Sequence, residues 1–193
     1  AALQAIRHAV GDDILIYVDA NRAYSVNEAA RYVSMLSDYG IAFAEDPCRL
    51  EPSRAFAELQ SQCPLPLLVD GDCRSIEKMR LFVDSGAKAF NLKMQKAQGY
   101  TENWEIVDHA RVHGAQTNIG LFGESSLGAH IALQLASALP ASILPAEVSG
   151  HLLFREEFVH APVQIKDGVT TLPDAPGFSQ LVDWEKVNYL LVT

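Results

Sequence analysis

Three carboxylates sit where short apolar stretches stop. Asp19 ends the greasy part of "ILIYVDANRAYS" (14–25), Glu45 ends "IAFAE" within "IAFAED" (41–46), and Asp70 ends "PLLVD" (66–70). Taken singly, an Asp followed by Ala-Asn is a turn starter, because Asp and Asn side chains bond to nearby backbone. Taken together, three carboxylates on consecutive strands repel one another unless something neutralises them. A divalent cation with hard oxygen ligands does so, and Mg²⁺ suits a carboxylate site that leaves positions for water and substrate. The next such stretch, "KAFNLK", ends in Lys93. A lysine beside a metal in a low-dielectric mouth loses basicity and becomes a usable general base. Two more acids, Glu124 in "NIGLFGE" and Glu147 in "SILPAEV", close later apolar stretches.

The elements that must position these groups alternate regularly. Helical spacing of Leu3, Ile6 and Val10 runs to a stop at Gly11. Ser25 to Tyr39 reads as a helix, with Ser25 as N-cap, Glu28 three residues on and Gly40 as its stop. Further helices are expected over 52–62, 75–86, 100–114 and 126–139, with a small hairpin or loop in "VQIKDGVTTLPDAPGF" and a last short helix near 183–190. Six strands ending near Asp19, Glu45, Asp70, Lys93, Glu124 and Glu147 are then spaced by 23 to 31 residues. A βα repeat of that period means a parallel sheet, either open and doubly wound or closed as a (β/α)8 barrel. The open sheet usually brings a Gly-rich phosphate loop, and neither G-x-G-x-x-G nor a P-loop occurs. A barrel puts its chemistry at the carboxyl ends of several strands, where all six ionisable residues fall. Phe43, Phe90 and Phe122 lie in the strands and are expected in the core. Ser125 and Ser126 of "GESSLG" are expected to cap the helix that follows.

Composition narrows the partners. The chain has 193 residues and a net charge of −9, with no Lys/Arg cluster, which argues against nucleic acid. No apolar run approaches the 18 or so residues that span a membrane, so no membrane partner is expected. No basic amino terminus precedes an apolar stretch, so no signal peptide is expected. Cys48, Cys63 and Cys73 are odd in number and lack zinc spacing; packed thiols in a reducing, cytoplasmic compartment are the expectation.

The ordered motifs "VDAN" (18–21), "AEDP" (44–47), "LLVDGDCRS" (67–75), "FNLKMQKAQG" (90–99), "GESSLG" (123–128) and "LPDAPGF" (172–178) resemble the enolase superfamily, in the muconate-lactonizing branch of mandelate racemase-like enzymes. The resemblance covers essentially the whole of 1–193 as one catalytic barrel domain. It implies that Asp19, Glu45 and Asp70 hold Mg²⁺ and that Lys93 is an acid/base. It gives Asn21 a place beside the first ligand on the substrate side, and Glu124 a supporting electrostatic role. A mandelate-racemase-type site would want a His on the seventh strand; "NIGLFGE" has none, and Lys93 favours the lysine-base branch. In such enzymes the proton α to a substrate carboxylate is removed to give an enediolate. Racemisation or epimerisation of an amino-acid derivative is the first expectation, with muconate-type cycloisomerisation and acid dehydration as alternatives. Glu147, and after it His151, fall where the family reaches its substrate, and an acid there can bind an amine.

Departures qualify the resemblance. "DGD" at 70–72 stands where Asp-Glu-Ser is usual, so Asp72 competes with Asp70 for the ligand role. "KAQG" replaces a double glycine. The chain opens inside what looks like the second barrel helix, without the capping domain, the first two strands or the Lys-x-Lys motif. An incomplete barrel of about six βα units, inactive alone, is therefore expected. Its exposed sheet edges favour homo-oligomers. Two rivals are an inert domain that only binds or self-assembles, and an unrelated barrel lyase using Lys93 as a Schiff base.

Overall fold

The computed structural model describes residues 2–97, 99–139, 144–174 and 177–191. The chain divides into two compact units, Ala1–Leu92 with Lys96–Thr117, and Lys93–Gln95 with Asn118–Thr193.

The first unit is built of βα repeats. Helix α1 (Ala2–Val10) precedes β1 (Tyr17–Asp19), α2 (Val26–Ser37), β2 (Phe43–Glu45), α3 (Arg54–Gln62), β3 (Leu67–Val69), α4 (Ile76–Asp84), β4 (Ala89–Leu92) and α5 (Tyr100–Val112). β5 (Gln116–Ile119) follows in a sheet of order β1-β2-β3-β4-β5. Pairing is parallel from β1 to β4, with Asp19 opposite Glu45, Glu45 opposite Leu68 and Leu68 opposite Ala89. Burial explains the short strands. Residues 67–69 and 89–92 are buried throughout, as expected of parallel strands covered on both faces. Phe82 meets Phe56 and Phe90 edge to face, with ring centroids 5.3 and 6.5 Å apart, the geometry that aromatic quadrupoles favour.

At α2 the helix boundaries follow the expected punctuation, and α3 and α4 likewise begin on a serine cap. Ser25 and Glu28 form a capping box on α2. Ser53 and Ser75 cap α3 and α4 by accepting from the N–H groups of Phe56 and Lys78. Gly40 and Gly86 take the left-handed conformation just past the ends of α2 and α4, which glycine adopts without a Cβ penalty.

The second unit departs from the repeat. Helix α6 (Ser126–Ala138), a 3₁₀ turn at Gly150–Leu153, β6 (Ile165–Lys166), β7 (Val169–Thr170) and α7 (Trp184–Leu190) make it up, with the end of β5. β6 and β7 are the expected hairpin, turned by Asp167 and Gly168, both at positive φ. The strand expected over "NIGLFGE" stops at Ile119, and Gly123 is left-handed at φ 76°. Glu124 therefore stands on irregular backbone and not at a strand end. Phe122, expected in the core, is 55% exposed for the same reason. The sixth strand is absent from 144–149, and the start of its expected range, 142–143, lies outside the described residues. A single bond, Glu147 N–H to the Ile119 carbonyl at 2.8 Å, stands in place of a ladder there, and Pro145 has no N–H to extend one. Five strands of the βα repeat, not six, are formed among the described residues.

Ser125 sits at the N-cap of α6 without a side-chain bond. The Ser126 N–H is met instead by Glu157 Oε1 at 3.0 Å, and the Ser126 hydroxyl accepts from the Val163 N–H. The expected serine capping is thus replaced by a distant carboxylate. Cys48 and Cys73 are buried free thiols and Cys63 is half-buried. No helix among the described residues is long and apolar enough to cross a membrane.

Candidate metal and acid–base site

The site residues of the first unit follow from the parallel register. Asp19 and Glu45 are direct neighbours across β1 and β2. Glu45 faces Leu68, so Asp70, two residues further along, returns to the same face of the sheet. Three carboxylates thus share one face of three consecutive strands.

Each is already engaged. Asp19 is exposed, and its Oδ1 accepts from the Asn21 N–H at 2.7 Å while Oδ2 accepts from Asn21 Nδ2 at 2.8 Å. The Asx turn is therefore real, with Asn21 (φ 46°) and Arg22 (φ 63°) both left-handed. Glu45 is buried, and its Oε1 accepts from Asn91 Nδ2 at 2.7 Å. Asp70 Oδ1 pairs with Lys96 Nζ at 2.7 Å; these side chains are only 13% and 6% exposed.

Asp46 organises the backbone around them. It is buried, its Oδ1 accepts from the Asp70 N–H at 3.1 Å, and its Oδ2 accepts from the Gly71 N–H at 3.0 Å. Arg22 Nε donates to the same Oδ2 at 3.2 Å, and Arg22 Nη2 lies 3.1 Å from Asp72 Oδ2. Asp72, a competing ligand by sequence, is in this structure the partner of Arg22. Burial pushes the Asp46 carboxyl upward, further raised by the charge of Asp70; the Asp70 and Gly71 N–H groups and Arg22 pull the other way without cancelling it. For Arg22, partial burial opposes the charge, but Asp46, Asp72 and Asp70 outweigh it and hold the guanidinium above its ordinary value.

Lys93 directly follows β4, is half-buried and belongs to the second unit. In that unit, Glu147 Oε1 accepts from Asn118 Nδ2 at 3.2 Å and Oε2 from the Leu121 N–H at 3.1 Å. Burial raises the Glu147 carboxyl, with the Leu121 bond opposing. Glu124 Oε2 accepts from the Phe122 N–H at 2.8 Å, while its buried Oε1 and both ring nitrogens of buried His151 have no partner among the described residues. A Cβ on Gly150 would lie 2.8 Å from the Glu124 backbone N and O, so only glycine allows that approach.

The donor chemistry fits a hard divalent cation: three carboxylates, all oxygen, on one face. As they stand, no three His, Cys, Asp or Glu side chains among the described residues converge closely enough to hold one. Asp19 is turned to Asn21 and Asp70 to Lys96. Four residues of this region escape the motif reading: Arg22, Asp46, Asn91 and Lys96. Only Asn91 carried a usable signal, two residues before Lys93 on a strand of period two.

A family model described as "Enolase C-terminal domain-like" matches residues 1–187. The chain is 28% identical over 187 residues to muconate cycloisomerase 1 of Acinetobacter baylyi, covering 96% of this chain and 50% of that enzyme. It is 30% identical over 176 residues to an N-succinylamino acid racemase of an Amycolatopsis species, covering 91% and 47%. The crystal structure of a dipeptide epimerase from Cytophaga hutchinsonii, complexed with Mg and the dipeptide D-Ala-L-Val, superposes with a TM-score of 0.80 at 27% identity, over 91% of this chain and 48% of that one. The chain spans about half the length of the curated relatives it matches. With the family model covering nearly all of it, and relatives that are cycloisomerases, racemases and epimerases, the chain belongs to the enolase superfamily, in the mandelate racemase and muconate-lactonizing group.

Proposed function

We propose that this chain forms the catalytic part of a magnesium-dependent isomerase that moves the proton α to a substrate carboxylate. The observation that carries this reading is the register of Asp19 opposite Glu45, with Asp70 on the same face of the next strand. Asp19, Glu45 and Asp70 would hold the ion. Bound there, Mg²⁺ would supply positive charge against the negative charge that builds on the substrate carboxylate as the α-proton leaves. The donor type supports Mg²⁺, and so does the magnesium named with the dipeptide epimerase.

The chain's own residues do the rest. Lys93 Nζ takes the α-proton on one face, or returns it. Asn91 keeps Glu45 oriented through its 2.7 Å bond, and Asn21 keeps Asp19 oriented through two. Glu124, with one buried oxygen unpartnered among the described residues, can accept a proton or a hydrogen bond at that atom. Glu147 is the candidate for a substrate amine, which favours racemisation or epimerisation of an amino-acid derivative such as an N-acylated amino acid or a dipeptide. Muconate-type cycloisomerisation is the second reading, favoured by the cycloisomerase match along 96% of the chain.

Proton NMR in D₂O tests both. Loss of the α-proton signal from an N-acyl amino acid or dipeptide, Mg²⁺-dependent and absent in Lys93→Ala, is the expected result. Turnover of a muconate without such exchange favours the second reading. No exchange or turnover with any acid favours a domain that only binds or self-associates, through its open sheet edges.

A further inference from the structure

Arg22 lies on the turn after β1, yet its contacts reach the ends of the next two strands. Its N–H donates to the Asp46 carbonyl at 2.7 Å. Its guanidinium bonds Asp46, which follows Glu45, and pairs with Asp72, two residues past Asp70. Asp46 in turn holds the Asp70 and Gly71 N–H groups. One side chain therefore ties together the three segments that carry Asp19, Glu45 and Asp70. Two backbone observations accompany it. Asn21, Arg22 and Asp46 are all non-glycine residues at positive φ, a conformation that persists only where its surroundings over-determine it. A Cβ on Gly71 would lie 1.8 Å from Arg22 Nη2, so a side chain there would have to push the guanidinium aside. The guanidinium occupies the space that the glycine leaves.

We propose that Arg22 is the positioning residue of the site: its hydrogen bond to Asp46 and its ion pair with Asp72 fix the three strand ends and keep Asp72 out of the ligand set, leaving Asp70 to it. This rests on the reading of Asp19, Glu45 and Asp70 as cation ligands, but the tie itself is testable without metal. The sign of one effect separates positioning from mere charge. If Arg22 acts only as a nearby cation, removing it strengthens Mg²⁺ binding, since like charges repel. If it positions the ligands, removing it weakens binding, by roughly tenfold or more as for other residues that orient metal ligands. Lysine keeps the charge but not the planar fork, so Arg22→Lys is expected to weaken binding too. Gly71→Ala is expected to behave alike by displacing the guanidinium.

The experiment combines metal-free hydrogen exchange with Mg²⁺ calorimetry on the wild type, Arg22→Ala, Arg22→Lys, Gly71→Ala and Glu45→Ala, with thermal melts to establish folding. The expected result is a loss of protection of about tenfold or more at the Arg22, Asp70 and Gly71 amides in the Arg22 and Gly71 variants, the other strands keeping theirs. Weaker Mg²⁺ binding should accompany it. Unchanged protection at those amides, or tighter Mg²⁺ binding in Arg22→Ala, overturns the proposal. Should Arg22→Ala fail to fold, Arg22→Lys decides by the same readings. Mg²⁺ binding that Glu45→Ala leaves intact, or no binding by the wild type, defeats the ligand assignment instead, while the exchange data still decide the tie.

Discussion

The ends of β1, β2 and β3 and the segments at 120–125 and 144–149 both carry acidic residues, but they hold them differently. In the first region a parallel ladder sets the spacing, and charged partners from far along the chain complete it: Arg22 on Asp46, Lys96 on Asp70. In the second the backbone is irregular, and the acids are met mainly by neutral amides: Phe122 on Glu124, and Leu121 and Asn118 on Glu147. Ion pairs under cover are costly to break from one side, whereas a lost amide bond costs less. The first region should therefore be the more sensitive to single substitutions.

Lys96→Ala should show the largest effect. It removes the cation that lies 2.7 Å from the nearly buried Asp70, and taking one member from such a pair costs up to about 3–5 kcal/mol. Denaturant unfolding measures it. Glu147→Ala should cost less, about 1–3 kcal/mol, by removing the acceptor of the Leu121 N–H and one partner of the Asn118 amide. The reverse order would break the comparison. The Glu147 loss should also depend on pH. Because burial raises its carboxyl in the fold, the folded chain binds this proton more tightly than the unfolded one. Glu147 then supports the fold most when protonated, and its contribution shrinks as pH rises from the ordinary carboxyl value through the raised one. The gap between wild type and Glu147→Ala should narrow accordingly.

Thiol labelling sharpens the picture of the first region. Burial pushes the Cys73 thiol up to about 12 and Cys63 up to about 11, and raises Cys48 as well. At pH 8 all three should react with a thiol reagent far more slowly than free cysteine, Cys73 slowest, and fully only after denaturation. Rapid labelling of Cys73 would mean that the loop after β3 opens readily. The smallest effect belongs to Glu28. The Ser25 hydroxyl and N–H lower its carboxyl, so its support of α2 is present above the ordinary carboxyl value and fades as pH falls through the lowered one. Glu28→Ala should lower the melting temperature slightly at neutral pH and not at all in strong acid.

Much of the first region was legible because its signals are local. Ser25 caps α2 with Glu28 three residues on, and Asp19, Glu45 and Asp70 close apolar stretches at a near-constant period. What was not legible joins distant residues. Asn91 reaches Glu45 across 46 positions, Lys96 reaches Asp70 across 26, and Arg22 reaches Asp46 across 24. No sequence window contains both ends of such a bond. The second region misled for a different reason. "NIGLFGE" and "SILPAEV" carry strand-forming residues, but Gly123 and Pro145 favour turns over ladders, and tertiary contacts decided the outcome. Ser125 and Ser126 looked like caps because their type is right, while Glu157, the group that meets the helix N-terminus, lies 31 residues away.

Isothermal titration of Mg²⁺ into the wild type and into Asp19→Ala, Glu45→Ala and Asp70→Ala tests the central claim most directly. One binding site in the wild type, weakened in each variant and most in Glu45→Ala, is the result expected of three carboxylates sharing one ion. Binding of equal strength in the wild type and all three variants would contradict it.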